Sequence, residues 1–215
     1  MMNQGIYQSI EKHLMEEETP SEYMKEIVKE SYFKQYPLNL LLKLKGIKQS
    51  PRYHPEGDVW NHTMLVLDEA AKVKNKSSNP KAFMWAALLH DIGKPDTTRE
   101  RKGRITSYGH EKIGADMARD FLREFSVHEE FIREVAALVR WHMQILFVVN
   151  NLPFAQVEDM KKEVNVEDIG LLGWCDRMGR GNPDPKMEEE NIKLFLKKCS
   201  DKLKTTSPEK NEYYE

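Results

Sequence analysis

Six residues of this 215-residue chain have types suited to shared chemistry: His62, His90, Asp91, His110, His142 and Asp176. Imidazole nitrogens and carboxylate oxygens are ligands for divalent transition metals, and carboxylates extend the set to magnesium. Four such residues can hold one ion. Six can hold two, with a carboxylate as the bridge. A pair of ions can orient a phosphoryl group, activate a water and stabilise a leaving oxygen. The strongest local signal is His90-Asp91, which ends the apolar run Phe83-Met84-Trp85-Ala86-Ala87-Leu88-Leu89. Burying such groups is costly unless they are paired or bind a metal. Spacing alone leaves two accounts open, a shared metal site or separate capping, core and surface residues. The chain has no His-Glu-x-x-His sequence, which argues against a common metallopeptidase.

These residues depend on helices to bring them together. A helix over 61–73 carries His62 in its first turn, with Leu65, Val66, Glu69 and Val73 at helical spacing. A buried helix opening at Pro80 delivers His90-Asp91 and is broken at Gly93 and Pro95. Helices over about 110–125 and 129–141 place His110 at a start and His142 at an end. A buried helix over 166–178 carries Asp176, and a final helix spans 188–198. Upstream, Thr19-Pro20-Ser21-Glu22 reads as a helix start. Pro37 ends or redirects that helix, and Gly46 stops the apolar segment 38–44. Residues 1–18 are weakly patterned and read as a frayed helix or surface arm. Residues 50–60 form a turn-rich loop. Residues 96–107 are polar and basic and read as a mobile loop beside the site. Strand signals are scarce. The expectation is an all-α chain: an N-terminal helical extension (1–50), a core domain (51–200) and a flexible tail (201–215).

Apolar residues make up 40% of the chain, enough for a sizeable core. The net charge of −2 argues against an extended basic footprint for nucleic acid. Lys43, Lys45 and Lys48 form a local basic cluster, read as a solvated helix face or a phosphate or RNA contact. Cys175 and Cys199 lack zinc or redox spacing and read as reduced thiols. No apolar run is long enough to span a bilayer, and no signal-peptide core opens the chain. A cytoplasmic protein without membrane contact is therefore expected, either a monomer or a weak homodimer.

The segments RYHPEGDVWNHTMLVLDEAA, AALLHDIGKP and LLGWCDRMG resemble the HD-domain superfamily of metal-dependent phosphohydrolases. The first two are also similar to the HD domain attached to some bacterial tRNA nucleotidyltransferases. The resemblance covers roughly residues 36–180 and implies an HD-domain helical bundle binding one or two divalent ions, from Fe, Mn, Ni, Co, Zn or Mg. By the family pattern, His62, His90, Asp91 and Asp176 are the minimal ligand set. His110, in YGHEKIGA, and His142, in VRWHM, match the extra histidines of binuclear members, and Asp91 takes the bridging role. Only about 50 residues precede the His54 loop, so no polymerase domain is expected in this sequence. The implied activity is hydrolysis of a nucleotide or other small phosphate mono- or diester by a metal-activated water. Asp91, Lys94, His110 and His142 are expected to act in the reaction, and His54, Lys94, Arg104 and Arg177 to contact substrate. Two alternatives stand beside this one: action on 2′,3′-cyclic phosphates or RNA ends, and a metal-stabilised regulatory or interaction domain without turnover.

Overall fold

The computed structural model describes residues 2–201, so the expected tail lies outside them apart from Asp201. The chain opens with α1 (Met2–Glu16), α2 (Pro20–Ile27) and the short α3 (Asn39–Leu42). α1 is not a frayed arm. Tyr7, Ile10 and Leu14 fall on one face and are buried, and the Tyr7 ring stacks on Trp85 at 4.9 Å. Its apolar stripe is narrow, and polar residues on the other faces dilute it in the sequence. α2 begins at Pro20 as the sequence predicts, although the Thr19 side chain makes no capping hydrogen bond.

α4 (Val59–Val73) starts two residues before the predicted point. Asp58 caps it by accepting from the Asn61 amide at 2.9 Å, and its second oxygen accepts from the Gly46 amide at 2.7 Å. α4 holds α2 through Asp68, which accepts from the Ser21 hydroxyl at 2.7 Å. α5 (Pro80–Leu89) is capped by Asn79, and every residue from Ala82 to Leu89 is buried. With no polar face, it can only be a central helix. It packs against α1 and α4.

α6 (Lys94–Thr97) is a single turn. The stretch read as a mobile loop then forms a β-hairpin, β1 (Arg99–Arg101) antiparallel to β2 (Arg104–Thr106). Lys102 and Gly103 turn the corner with φ of 50° and 74°, the two positive values that suit a tight hairpin. Strands of three residues carry too little alternation to be seen in the sequence.

α7 (His110–Arg123) and α8 (Glu129–Trp141) pack as a pair, and α8 also lies against α5. α9 (Gln144–Val149) and α10 (Val157–Glu163) follow, then α11 (Val166–Met178) and α12 (Pro185–Ser200). α11 packs on α4 and α12. Ile145 and Val148 of α9 are buried within the chain, so much of that apolar patch is core. The described residues form an all-α bundle with one small hairpin, and none of their helices is long and apolar enough to cross a membrane.

Candidate metal centre

Five helices deliver the six side chains to one place. His62 comes from the first turn of α4, and His90 and Asp91 follow the last turn of α5. His110 opens α7, His142 follows α8, and Asp176 lies near the end of α11. Asp91 sits in the middle. Its Oδ2 is 3.2 Å from His90 Nε2 and 3.9 Å from His62 Nε2, and its Oδ1 is 3.4 Å from His110 Nε2. Asp176 Oδ1 is 3.0 Å from His62 Nε2, and the His110 and His142 Nε2 atoms are 3.2 Å apart.

The histidines are held in one tautomer. His90 Nδ1 is 2.9 Å from the Ala87 carbonyl, His110 Nδ1 is 2.7 Å from that of Ser107, and His142 Nδ1 is 2.7 Å from that of Val139. A carbonyl only accepts, so Nδ1 donates in each. In a neutral ring the Nε2 lone pair then faces the shared space, as a metal ligand requires. The short His110–His142 separation would bring two such lone pairs together, which a cation between them would relieve.

The donor set passes a second test of fit. His90 Nε2 is buried with no hydrogen-bond partner. Asp91 Oδ2 is buried with no donor in hydrogen-bonding geometry, although Lys94 Nζ lies 2.7 Å away as a counter-ion. Orphaned buried groups of this kind are costly in a native fold unless an ion or water completes them. Two groups of potential ligands, His62-His90-Asp91 and Asp91-His110-His142, share Asp91, with all ligand atoms within 4.8 Å in each. The clusters form one or two divalent-metal sites, and Asp91 presents a separate oxygen to each.

Residues 59–149 match the family model described as HD domain. This segment is an HD domain. The multifunctional CCA protein of Actinobacillus pleuropneumoniae serotype 5b (strain L20) is 36% identical over 97 residues, covering 45% of this chain and 23% of that protein. That of Halorhodospira halophila is 42% identical over 101 residues, 46% of this chain and 23% of the relative. That of Aromatoleum aromaticum is 35% identical over 145 residues, covering 64% and 34%. The chain thus matches about a third or less of these relatives' length. The His/Asp clusters are those typical of the HD domain. Asp176 lies beyond the matched segment, and the packing of α11 on α4 brings it to the site.

Burial pushes the Asp91 carboxyl up, but His90, Lys94 and His110 together hold it well below the usual carboxylate range. For Asp176, Arg180 and His62 likewise overcome burial. Burial pushes His110 down to about 3, helped by His142 and Lys94 and opposed by Asp91. It lowers His142 as well. His62 goes the other way, because Asp176 and Glu56 outweigh its burial.

Glu56 is a residue of the HD-domain surroundings that the sequence reading missed. Its Oε1 is 2.8 Å from both His54 Nδ1 and His62 Nδ1, and its Oε2 accepts from the Gly181 amide at 3.1 Å. It orients His62 and ties the chain beyond α11 to the 50–58 loop. The available signal was a carboxylate six residues before His62 in the same loop. His54 lies beside the site, its ring edge-on to His62 at 4.8 Å. Lys94 is buried, and its ammonium also donates to Gln49 Oε1 at 2.6 Å.

Two of the residues expected to contact substrate lie outside the ligand cluster. Arg177 is buried and donates to Glu188 Oε2 at 2.8 Å, away from the metal residues. Arg180 faces the site instead, with Nη2 3.4 Å from Asp176 Oδ2. Arg177 is still on α11, where neighbouring side chains face different ways, whereas Arg180 lies two residues past the helix end and turns back to Asp176. Arg104 is exposed on β2, outside the ligand cluster.

One glycine sets the spacing between His90-Asp91 and His110. A Cβ on Gly93 would meet the His110 carbonyl at 2.3 Å and the Gly114 amide at 2.7 Å. The start of α7 rests directly on the Gly93 backbone.

Proposed function

We propose that this chain hydrolyses a small phosphate mono- or diester, with a nucleotide as the favoured class. The observation that carries the reading is Asp91, whose two oxygens face two sets of histidine Nε2 atoms. A divalent ion bound there supplies Lewis acidity to a phosphoryl oxygen and makes a water more acidic. The residues do the rest. Asp176, with its side chain 14% exposed, is the ligand carboxylate most open to solvent and accepts a hydrogen bond from the attacking water. Lys94 balances the charge of Asp91 and adds positive potential on the phosphate side. Burial keeps His110 neutral, which favours a role as ligand over one as proton donor to the leaving oxygen. His142 shares that role. His54 contacts the substrate from the rim, its ring steadied by Glu56.

The test is chelation followed by separate re-addition of Mn, Fe, Co, Ni, Zn and Mg. Turnover would be measured on a generic phosphodiester, a nucleotide monoester and a cyclic nucleotide. At least one ion should restore hydrolysis, and Asp91→Ala should abolish it while the helical circular dichroism is kept. A fully loaded protein that turns over no member of a broad phosphate library would sink the proposal in favour of an interaction domain. A second reading, action on an RNA end or a 2′,3′-cyclic phosphate, draws support from the likeness to the multifunctional CCA proteins.

A further inference from the structure

The hairpin 99–106 carries Arg99, Arg101, Lys102 and Arg104, all exposed. Its one acid, Glu100, is paired at 3.4 Å with Lys48. Across a cavity of about 350 Å³ lies the loop 50–54 with Arg52 and Tyr53. Among the described residues, none of these five arginine and lysine side chains has a carboxylate partner. The strand register also sets Arg101 opposite Arg104. Like charges placed directly across a ladder destabilise it. A chain of net charge −2 has carboxylates enough to neutralise this ridge, yet the fold leaves it bare.

The ridge is fastened to the metal centre at both ends. Thr98 Oγ1 donates to the Lys94 carbonyl at 2.7 Å, and the Ser107 carbonyl accepts from His110 Nδ1 at 2.7 Å. The opposite loop is fastened too, by Gln49 to Lys94 and by His54 through Glu56 to His62. Two aromatic rings stand at the rim: Tyr53 is 56% exposed and Tyr108, two residues before His110, is 73% exposed. The Arg52 guanidinium lies over the Tyr53 ring at 5.4 Å.

We propose that the hairpin and the 50–54 loop form a rail for a single-stranded nucleic acid, whose end reaches the metal centre. Three strand residues span about 10 Å, more than a single phosphate can use. Cations along a groove with exposed aromatic rings are the usual equipment for binding a strand, with the rings as stacking platforms. The proposal rests on the phosphohydrolase reading for what happens at the strand's end, while the rail itself is a binding surface that can be tested without turnover.

The probe is a fluorescently labelled 12-mer single-stranded RNA, titrated into chelated full-length protein while anisotropy is followed over a range of salt. With three phosphates engaged, log K should fall against log[salt] with a slope of about −2, from roughly −0.7 per contact. Arg101→Glu with Arg104→Glu should weaken binding at least tenfold and flatten that slope. Lys102→Glu, at the exposed turn, should do the same to a lesser degree, and Tyr53→Ala should cost about fivefold or more. Helical circular dichroism and bound-metal content report whether each variant is folded. Equal affinity in the charge-reversed variants overturns the rail. So does equal affinity for a blunt duplex, or binding to anionic lipid vesicles with none to RNA. Failure of the hydrolysis reading would look different: intact salt-dependent binding with no turnover in any metal form.

Discussion

Gly93→Ala should displace His110 from the metal centre without disturbing His62 or His90. Gly93 has φ −82° and ψ −9°, a conformation open to any residue, so alanine meets no backbone strain. Alone, the change would stabilise by about 0.4–1 kcal/mol by restricting the unfolded chain. The contact decides the sign. The added Cβ would lie 2.3 Å from the His110 carbonyl and 2.7 Å from the Gly114 amide, where ordinary contact begins at 3.4 Å. Both obstacles are backbone, so α7 must retreat by about 1 Å. Overpacking of this kind costs about 1–3 kcal/mol, or roughly 3–10 °C in Tm for a chain of this size. The retreat lengthens the 3.4 Å separation of His110 Nε2 from Asp91 Oδ1. A shift of about 1 Å at a reacting centre can cost on the order of 100-fold in rate. The assay is metal stoichiometry by mass spectrometry, with Tm and turnover alongside. The ion held by His110 and His142 should be lost and the one held by His62 and His90 retained. Gly114→Ala is the control, because its Cβ would meet Gly93 N and Val139 Cγ1 at 3.4 Å, an ordinary distance. If Gly93→Ala keeps wild-type Tm, metal content and rate, the close approach of α7 does not position His110.

Three further outcomes follow from single contacts. Glu56→Ala removes the carboxylate that orients His62 and should weaken binding of the ion held by His62 and His90 by about 10–100-fold; a competition titration with a metal-sensitive dye would reveal an unchanged affinity. Arg177→Ala strands Glu188 in a buried ion pair whose side chains are only 8% and 7% exposed, which should cost about 3–5 kcal/mol in chemical denaturation, whereas Arg177→Met with Glu188→Leu should recover most of it; a stability loss below about 1 kcal/mol in the single variant would contradict the pairing. Burial pushes the Cys199 thiol up to about 11 and raises that of Cys175 further, so both should resist iodoacetamide at pH 8 in the native protein and react once unfolded; rapid native labelling, detected by mass shift, would show that α11 and α12 open.

The helices that carry the ligands were legible because each has an apolar stripe or, in α5, an unbroken apolar run, together with a marked end. α8 and α11 fall where periodicity put them, and Gly93-Lys94-Pro95 does end the central helix region before a new turn. What escaped were features that need tertiary geometry or very short elements. The hairpin has three residues per strand and no apolar alternation. Naming Arg177 rested on its adjacency to Asp176, whereas about 100° of helical rotation separates neighbouring side chains. Lys45 and Lys48 also found partners no linear pattern could supply: the Trp60 ring at 5.0 Å, and Glu100 across the chain.

The positions of the histidines at helix ends have a physical reason beyond convergence. His90 and His142 each donate from Nδ1 to the carbonyl three residues back. Carbonyls in the last turn of a helix lack intrahelical partners. A histidine just beyond that turn can satisfy one of them and have its tautomer fixed by the same bond. His110 uses the Ser107 carbonyl, outside its own helix, to the same end. His62 cannot follow this scheme, because it sits inside the first turn of α4, where the carbonyls behind it serve the helix. A carboxylate must replace the carbonyl, and Glu56 in the preceding loop does so. The substitution has an electrical consequence. A carbonyl fixes a ring without charging it, whereas Glu56 and Asp176 together raise the His62 pKa and favour a proton between them. Metal and proton therefore compete more strongly for His62 than for His110 and His142, whose pKa values burial lowers.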